Sequence, residues 1–388
     1  MKIVVDATSI RSRPSGIGIY SQNLLEGMIQ VLGEGNYTCF EIKVLYKSNR
    51  GLSNLRKHLS VTPVNHFNFT YYPFPSETSL QVFRRSRLAT DLLELFLGKP
   101  DIFHGLDYLN YPLRTSRNIL TIHDLSFIRY PQYAPERVLK TYQKRLSICS
   151  QWTDLIITMS ENSKKDIIEF LNIDSQKIRV IPLASRYGHS TSQYQLSSHH
   201  QDLSQTAAPF PFPYLLFIST LEPRKNIQSL IQAFEILKQQ HHIPHHLILI
   251  GKKGWKYEAI FAAIESSPVK HHIHHLDYLD DRQLPQFYQW ATAFLYPSHY
   301  EGFGLPVLEA MAFGVPVITS NQAALPEVTG DAALLVHPED IEGLVTATRS
   351  LLENPELRTT LSQAGKARSL LFSWKTTALK TLEAYQSL

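Results

Sequence analysis

The stretch SHYEGFGLPVLEAMAFG, from Ser298 to Gly314, constrains this chain more than any other. Two glutamates flank a glycine loop that opens directly into a helix. Pro306 suits a first helical position and Gly314 suits a stop, so the residues between them are predicted to form a short helix whose free N–H groups face the loop. A helix start of that kind attracts phosphate.

The rest of the chain alternates in the same manner. KIVVDA reads as a strand, followed by a turn with Ser15, Gly16 and Gly18 and a helix carrying Leu24, Leu25, Met28 and Val31. Strands are expected at EIKVLY, DIFHG, NILTIHD, DLIITMS and IRVIPLA, with helices at ERVLKTYQKRLSICSQW and SKKDIIEFLN. That order predicts a parallel sheet covered by helices. From Arg186 to Pro213 the chain turns rich in Ser, Gln and His without an apolar period, which reads as a connection. A second series follows: YLLFIST, IQSLIQAFEILKQQ, HLILIGK, YEAIFAAI, HHLDYL, LPQFYQWA, AFLYPS, the motif helix, VPVITS and AALLV. No short-period repeat relates the halves. The fold class expected is α/β, with an N-terminal Rossmann-like domain at 1–190, a linker at 191–212, a second Rossmann-like domain at 213–368 and a terminal helix within 369–388.

Composition narrows the function. With 388 residues, 43% hydrophobic, the chain can bury two sizeable cores. No apolar run approaches the roughly 18 residues of a spanning helix, and MKIVVDA reaches Asp6 too soon for a signal peptide, so a cytosolic protein is expected. Cys39 and Cys149, both expected to be buried, form no disulfide framework. A net charge of +4 is too small to imply nucleic acid. Basic residues gather in the first half, at Lys43, Lys47, Arg50, Arg56 and Lys57, then at Arg84, Arg85 and Arg87. Two readings stay open for them: a solvated face, or contact with an anionic membrane or lipid-linked acceptor. The seventeen histidines, some paired as His199–His200 and His271–His272, match no metal-site spacing, so no metal is expected.

EGFGLPVLEAMAFGVPVI, with its lead-in AFLYPS and follow-on ITSNQAALPEVTGDAALLVHPED, resembles the Glu-x7-Glu signature of family 4 retaining glycosyltransferases. The resemblance implies the GT-B fold: two Rossmann-like domains facing a cleft, with FSWKTTALKTLEAY as a helix crossing back to the first. It also implies a nucleotide-diphosphate sugar as donor substrate, with no other cofactor. EPRKN, HDLSF and the glycine-loop segment together are similar to mannosyl- and rhamnosyl-type members that build cell-surface polysaccharides, which makes GDP-mannose the leading donor.

The resemblance also assigns roles. Arg224 and Lys225, just beyond a strand, offer bare positive potential suited to phosphate, the alternative being a basic helix start with solvated side chains; by the resemblance Lys225 would contact the donor diphosphate and Arg224, by proximity, would share that task. Glu301 would lie near the transferred sugar and Glu309 would hold the nucleotide's ribose hydroxyls, against the plainer reading of Glu309 as a carboxylate favoured by the helix dipole. Gly302, Phe303, Gly304 and Leu305 form the loop approaching the donor. His123 would stand beside the sugar, with Asp124 orienting the turn or the imidazole, and Gly16 and Gly18 would lie near the diphosphate and acceptor. Ser160 and Glu161 suit either the cleft or a helix start. Backbone near Tyr278 and Leu279 would meet the base, while Asp280 and Asp281 read as helix caps.

The function expected is retaining hexosyl transfer, best mannosyl, to a glycan or lipid-linked acceptor. Two other classes remain: a GT-B-like protein that binds nucleotide sugars without turnover, and an epimerase or hydrolase of nucleotide sugars.

Overall fold

The computed structural model describes residues 1–11, 16–35, 39–47, 52, 56, 67–72, 76–187 and 207–388. Ser15, Arg50, Lys57, His199, His200 and most of the expected 191–212 linker lie outside the described residues. By contacts the chain divides into one unit of Met1–Ile128, Glu136–Leu183 and Trp374–Leu388, and another of Arg129–Pro135 and Ala184–Ser373.

The first unit is built on a seven-stranded sheet of β1 (Lys2–Asp6), β2 (Glu41–Tyr46), β3 (Phe67–Tyr71), β4 (Ile102–Gly105), β5 (Arg117–Thr121), β6 (Leu155–Thr158) and β7 (Ile178–Val180). Their order is β3-β2-β1-β4-β5-β6-β7, with every pairing parallel. The second unit has six parallel strands: β8 (Tyr214–Ile218), β9 (His246–Ile250), β10 (Ile273–Leu276), β11 (Ala293–Tyr296), β12 (Val317–Ser320) and β13 (Leu334–Val336). They lie in the order β10-β9-β8-β11-β12-β13. All residues of β8 and β11 are buried, which is why YLLFI and AFLY run apolar without alternation. In each sheet the order reverses once, between β1 and β4 and between β8 and β11. Ligands of open α/β sheets bind at such reversals, beyond the carboxyl ends of the strands.

In the first unit the C-terminal helix, Trp374–Gln386, packs on Gly16–Gly33. Gly27 permits the close approach, since a Cβ there would fall 2.6 Å from the Trp374 carbonyl oxygen. Tyr385 joins this interface to the sheet through its hydroxyl, 2.7 Å from Nδ1 of buried His104.

Several expectations change. Gly16 and Gly18 occupy the first turn of a helix rather than the turn before it. The strand expected at HHLDYL lies earlier, at Ile273–Leu276, because Ile273 supplies its inward apolar anchor. The edge strand β3 and the helices Ser76–Arg85, Arg87–Leu97, Ile341–Glu353 and Pro355–Ser369 were not anticipated. Cys39 is exposed, whereas Cys149 is buried with its thiol pushed up to about 11 by burial.

Candidate functional site

The loops leaving β8 and β11, the two strands at the reversal, carry a cluster of charges. Pro223–Lys225 form a single 3-10 turn, and Asn226, at φ 57°, ends it in the left-handed region. The Asn226 side chain fixes the turn by donating to the carbonyls of Pro297 at 3.0 Å and Pro338 at 2.6 Å. The His299 amide donates to the Arg224 carbonyl at 3.0 Å, so the two loops are laced together.

Within that frame Lys225 Nζ donates to Glu301 Oε1 at 2.6 Å and to the Tyr296 hydroxyl at 3.0 Å. Arg224 NH1 donates to Glu301 Oε2 at 3.2 Å and to the Tyr300 carbonyl at 2.7 Å, while NH2 donates to Glu222 at 2.8 Å. Ser298 Oγ adds a third donor to Glu301 at 2.6 Å. Burial alone would raise the Glu301 pKa, but Lys225 and Arg224 outweigh it and hold the carboxyl at about 2. Lys225 is raised despite burial and the nearby Arg224, because Glu301 and Tyr296 favour its charged form. Burial and Glu301 push the Tyr296 hydroxyl up to about 12. Lys225 and Glu301 are therefore both charged at neutral pH. The basic pair expected to supply bare positive potential is instead matched by Glu222 and Glu301. Among the described residues the third Lys225 ammonium proton has no acceptor, so one donor remains for a ligand.

Gly304, at φ 103°, precedes the helix Leu305–Ala312, and a Cβ there would meet Leu325 Cδ2 at 2.7 Å. Pro306 sits in its first turn and Gly314, at φ 72°, follows its end. Gly302 and Phe303 are buried, Phe303 with its ring edge-on to Phe372 at 5.8 Å.

Glu309 does not join Glu301. Arg186 grips it through Nε at 2.6 Å and NH2 at 3.0 Å, and the Tyr288 hydroxyl donates to Oε2 at 3.0 Å. Arg186 NH1 also donates to Asp281. Asp281 is thus an ion-pair partner rather than a helix cap, whereas Asp280 does accept from the amides of Arg282 and Gln283. Tyr278 and Leu279 are half-buried in the adjoining loop. The sequence marks Arg186 only as the start of the connection, because nothing local distinguishes an arginine whose partners lie 95 and 123 residues away.

In the first unit His123 follows β5 and its Nε2–H donates to the Leu106 carbonyl at 2.8 Å, leaving Nδ1 with a lone pair. Burial lowers its pKa, with Asp107 and Asp124 opposing the shift. Asp124 caps the next turn through Ser126. Asp107, missed in the sequence, has Oδ1 buried with no partner among the described residues. Ser160 caps the helix Glu161–Leu171, accepting from the Ser163 amide at 3.1 Å.

Residues 16–184 match the model for Glycosyltransferase Family 4, and residues 201–368 match that for Glycosyl transferases group 1. The O-antigen chain mannosyltransferase B of Escherichia coli is 35% identical over 292 residues, covering 75% of this chain and 75% of that protein. The chain belongs to the group 1 glycosyltransferases. Among solved structures, the glycosyltransferase superposes on the sucrose-phosphate synthase of Thermosynechococcus elongatus with a TM-score of 0.72 at 20% identity, covering 100% of this chain and 98% of the other. Anabaena Alr3699/HepE in complex with UDP-glucose gives 0.69 at 16% identity, covering 100% of both chains. These likenesses give the glycosyltransferase the GT-B fold.

Proposed function

We propose that this glycosyltransferase moves a mannosyl unit, with retained anomeric configuration, from a nucleoside diphosphate sugar to a glycan or lipid-linked acceptor in polysaccharide synthesis. The observation that carries the reading is the buried Lys225–Glu301–Arg224 cluster at the β8–β11 reversal. The 213–368 domain takes the donor and the 1–190 domain the acceptor side. As the bond from anomeric carbon to diphosphate oxygen breaks, negative charge collects on the leaving group, and the spare Lys225 N–H meets it. The acceptor oxygen bonds to that carbon on the same face and its proton passes to the departing phosphate, so no enzymic nucleophile or metal is used. Glu301 stays ionised and accepts from a sugar hydroxyl, while His123 Nδ1 and the unpartnered Asp107 oxygen accept from the acceptor side. Mannose is favoured by the named activity of the E. coli relative. The test is to incubate the enzyme with GDP-mannose and a lipid-linked or oligosaccharide acceptor and to read the new linkage by NMR; an inverted product, or free mannose alone, overturns the proposal.

An anionic bilayer is the proposed docking partner. The helix Arg87–Leu97 buries Leu93 and Leu97 yet leaves Leu88, Leu92 and Leu95 at 70%, 58% and 66% exposure, in one stripe at helical spacing. Arg84, Arg85 and Arg87 at the start of the helix and Lys99 beyond its end are all exposed, with Asp91 the exposed acid between them. An apolar stripe with cations at both ends of its helix suits the headgroup boundary of negatively charged lipid. No described helix is long and apolar enough to cross a membrane. Flotation with phosphatidylglycerol vesicles is expected to carry the wild type but not the Leu92→Glu/Leu95→Glu variant. Equal flotation of both, or a dimer dispersed by the same substitutions, overturns this docking.

A further inference from the structure

The second carboxylate of the motif is occupied before any ligand arrives. A carboxylate offers about four lone-pair positions. On Glu309 one position of Oε1 receives Arg186 Nε, and both positions of Oε2 receive Arg186 NH2 and the Tyr288 hydroxyl. Among the described residues one position on Oε1 remains. The arrangement is firmly held: Glu309 is 2% exposed, the Arg186 side chain 11%, and the Arg186 guanidinium lies 5.2 Å from the centre of the Tyr187 ring. The Tyr288 ring stacks on Phe313 with centroids 5.3 Å apart and planes 7° from parallel. Asp281 takes the remaining edge of the guanidinium, so Arg186 is anchored from two sides. Withdrawing it would leave a buried carboxylate uncompensated, a costly change.

We infer that Arg186 is a specificity-determining positioning residue: it aims Glu309 and restricts it to a single hydroxyl of the nucleotide ribose. This rests on the proposed nucleotide-sugar reading together with the resemblance that would set Glu309 against the nucleotide's ribose. A free carboxylate would take the 2′ and 3′ hydroxyls together, one on each oxygen. With Arg186 in place, one hydroxyl is gripped by a charged acceptor and the other is left to water or to neutral groups.

The experiment is calorimetric titration of the full chain with GDP and UDP and with the 2′-deoxy and 3′-deoxy forms of whichever binds more tightly. One deoxy form is expected to lose about tenfold or more in affinity, the scale of a hydrogen bond to a charged group, and the other less than about threefold. Arg186→Lys keeps the charge but cannot grip both carboxylate oxygens, so it should narrow the gap between the two deoxy forms. A purely structural arginine would change both forms alike. Two equal losses in the wild type, with Glu309→Ala still weakening the parent nucleotide, overturn the single-hydroxyl inference and leave the donor reading standing. If Glu309→Ala leaves nucleotide affinity unchanged, both fall.

Discussion

Lys225 and Glu301 sit in the enclosed part of the charged cluster, and each is costly to bury without the other. Lys225→Ala should lower turnover by more than about tenfold by removing the spare N–H, and should also lower the melting temperature by stranding Glu301. Adding Glu301→Gln to that variant should recover stability but not turnover; recovery of both would remove the pair from catalysis. The pair also sets an acid limit. Glu301 has a folded value near 2, depressed below an ordinary carboxyl, so its contribution is present above about pH 4.5 and is lost as pH falls toward 2. Urea unfolding at pH 6 and pH 3 should show a larger loss in the wild type than in Glu301→Gln, and equal losses would contradict the assignment.

At the scale of elements, the motif helix depends on its entry. Gly304 lies at φ 103° and faces Leu325, so Gly304→Ala combines backbone strain with a clash and should cost about 1–3 kcal/mol, together with weaker nucleotide binding in a titration. At the β10 edge of the same sheet, β9 and β10 are joined by a string of imidazoles. His246 Nδ1 lies 2.8 Å from His274 Nε2, and His246 Nε2 lies 3.3 Å from His272 Nδ1. Phe212 stacks on His246 at 3.7 Å, and Lys238 is the cation nearby. Burial and the neighbouring His272, His274 and Lys238 bring His246 down to about 4. A base depressed on folding binds more protons when unfolded, so this stability is lost as pH falls from about 6.5 toward 4. Melting temperatures between pH 7 and pH 5 should therefore fall less steeply for His246→Gln than for the wild type; parallel slopes would count against the string.

For the molecule as a whole, a donor that binds only the folded chain must raise its melting temperature, by about 2.7 kcal/mol of added stability at a hundred times the dissociation constant. Across GDP-, UDP-, ADP- and dTDP-sugars the largest rise is expected with GDP-mannose, and a larger rise with another base would reassign the donor. Both sheets could be read along the chain, because alternation of short apolar strands with amphipathic helices is a local pattern that survives without tertiary information. Edge strand β3 could not: FNFTY is five residues long, and its inward side is decided by the strand beside it. The helix Leu305–Ala312 was legible from Pro306 and Gly314, since caps act within one turn. Lys225 and Glu301 were legible as chemistry and as motif. That they neutralise each other, that Glu309 belongs to Arg186, and that Asp281 is an ion-pair partner were settled only by packing. The physical reason is range: capping and periodicity act over a few residues, whereas a buried charge is satisfied by whichever opposite charge the fold brings within about 3 Å, here from 95 to 123 positions away for Arg186.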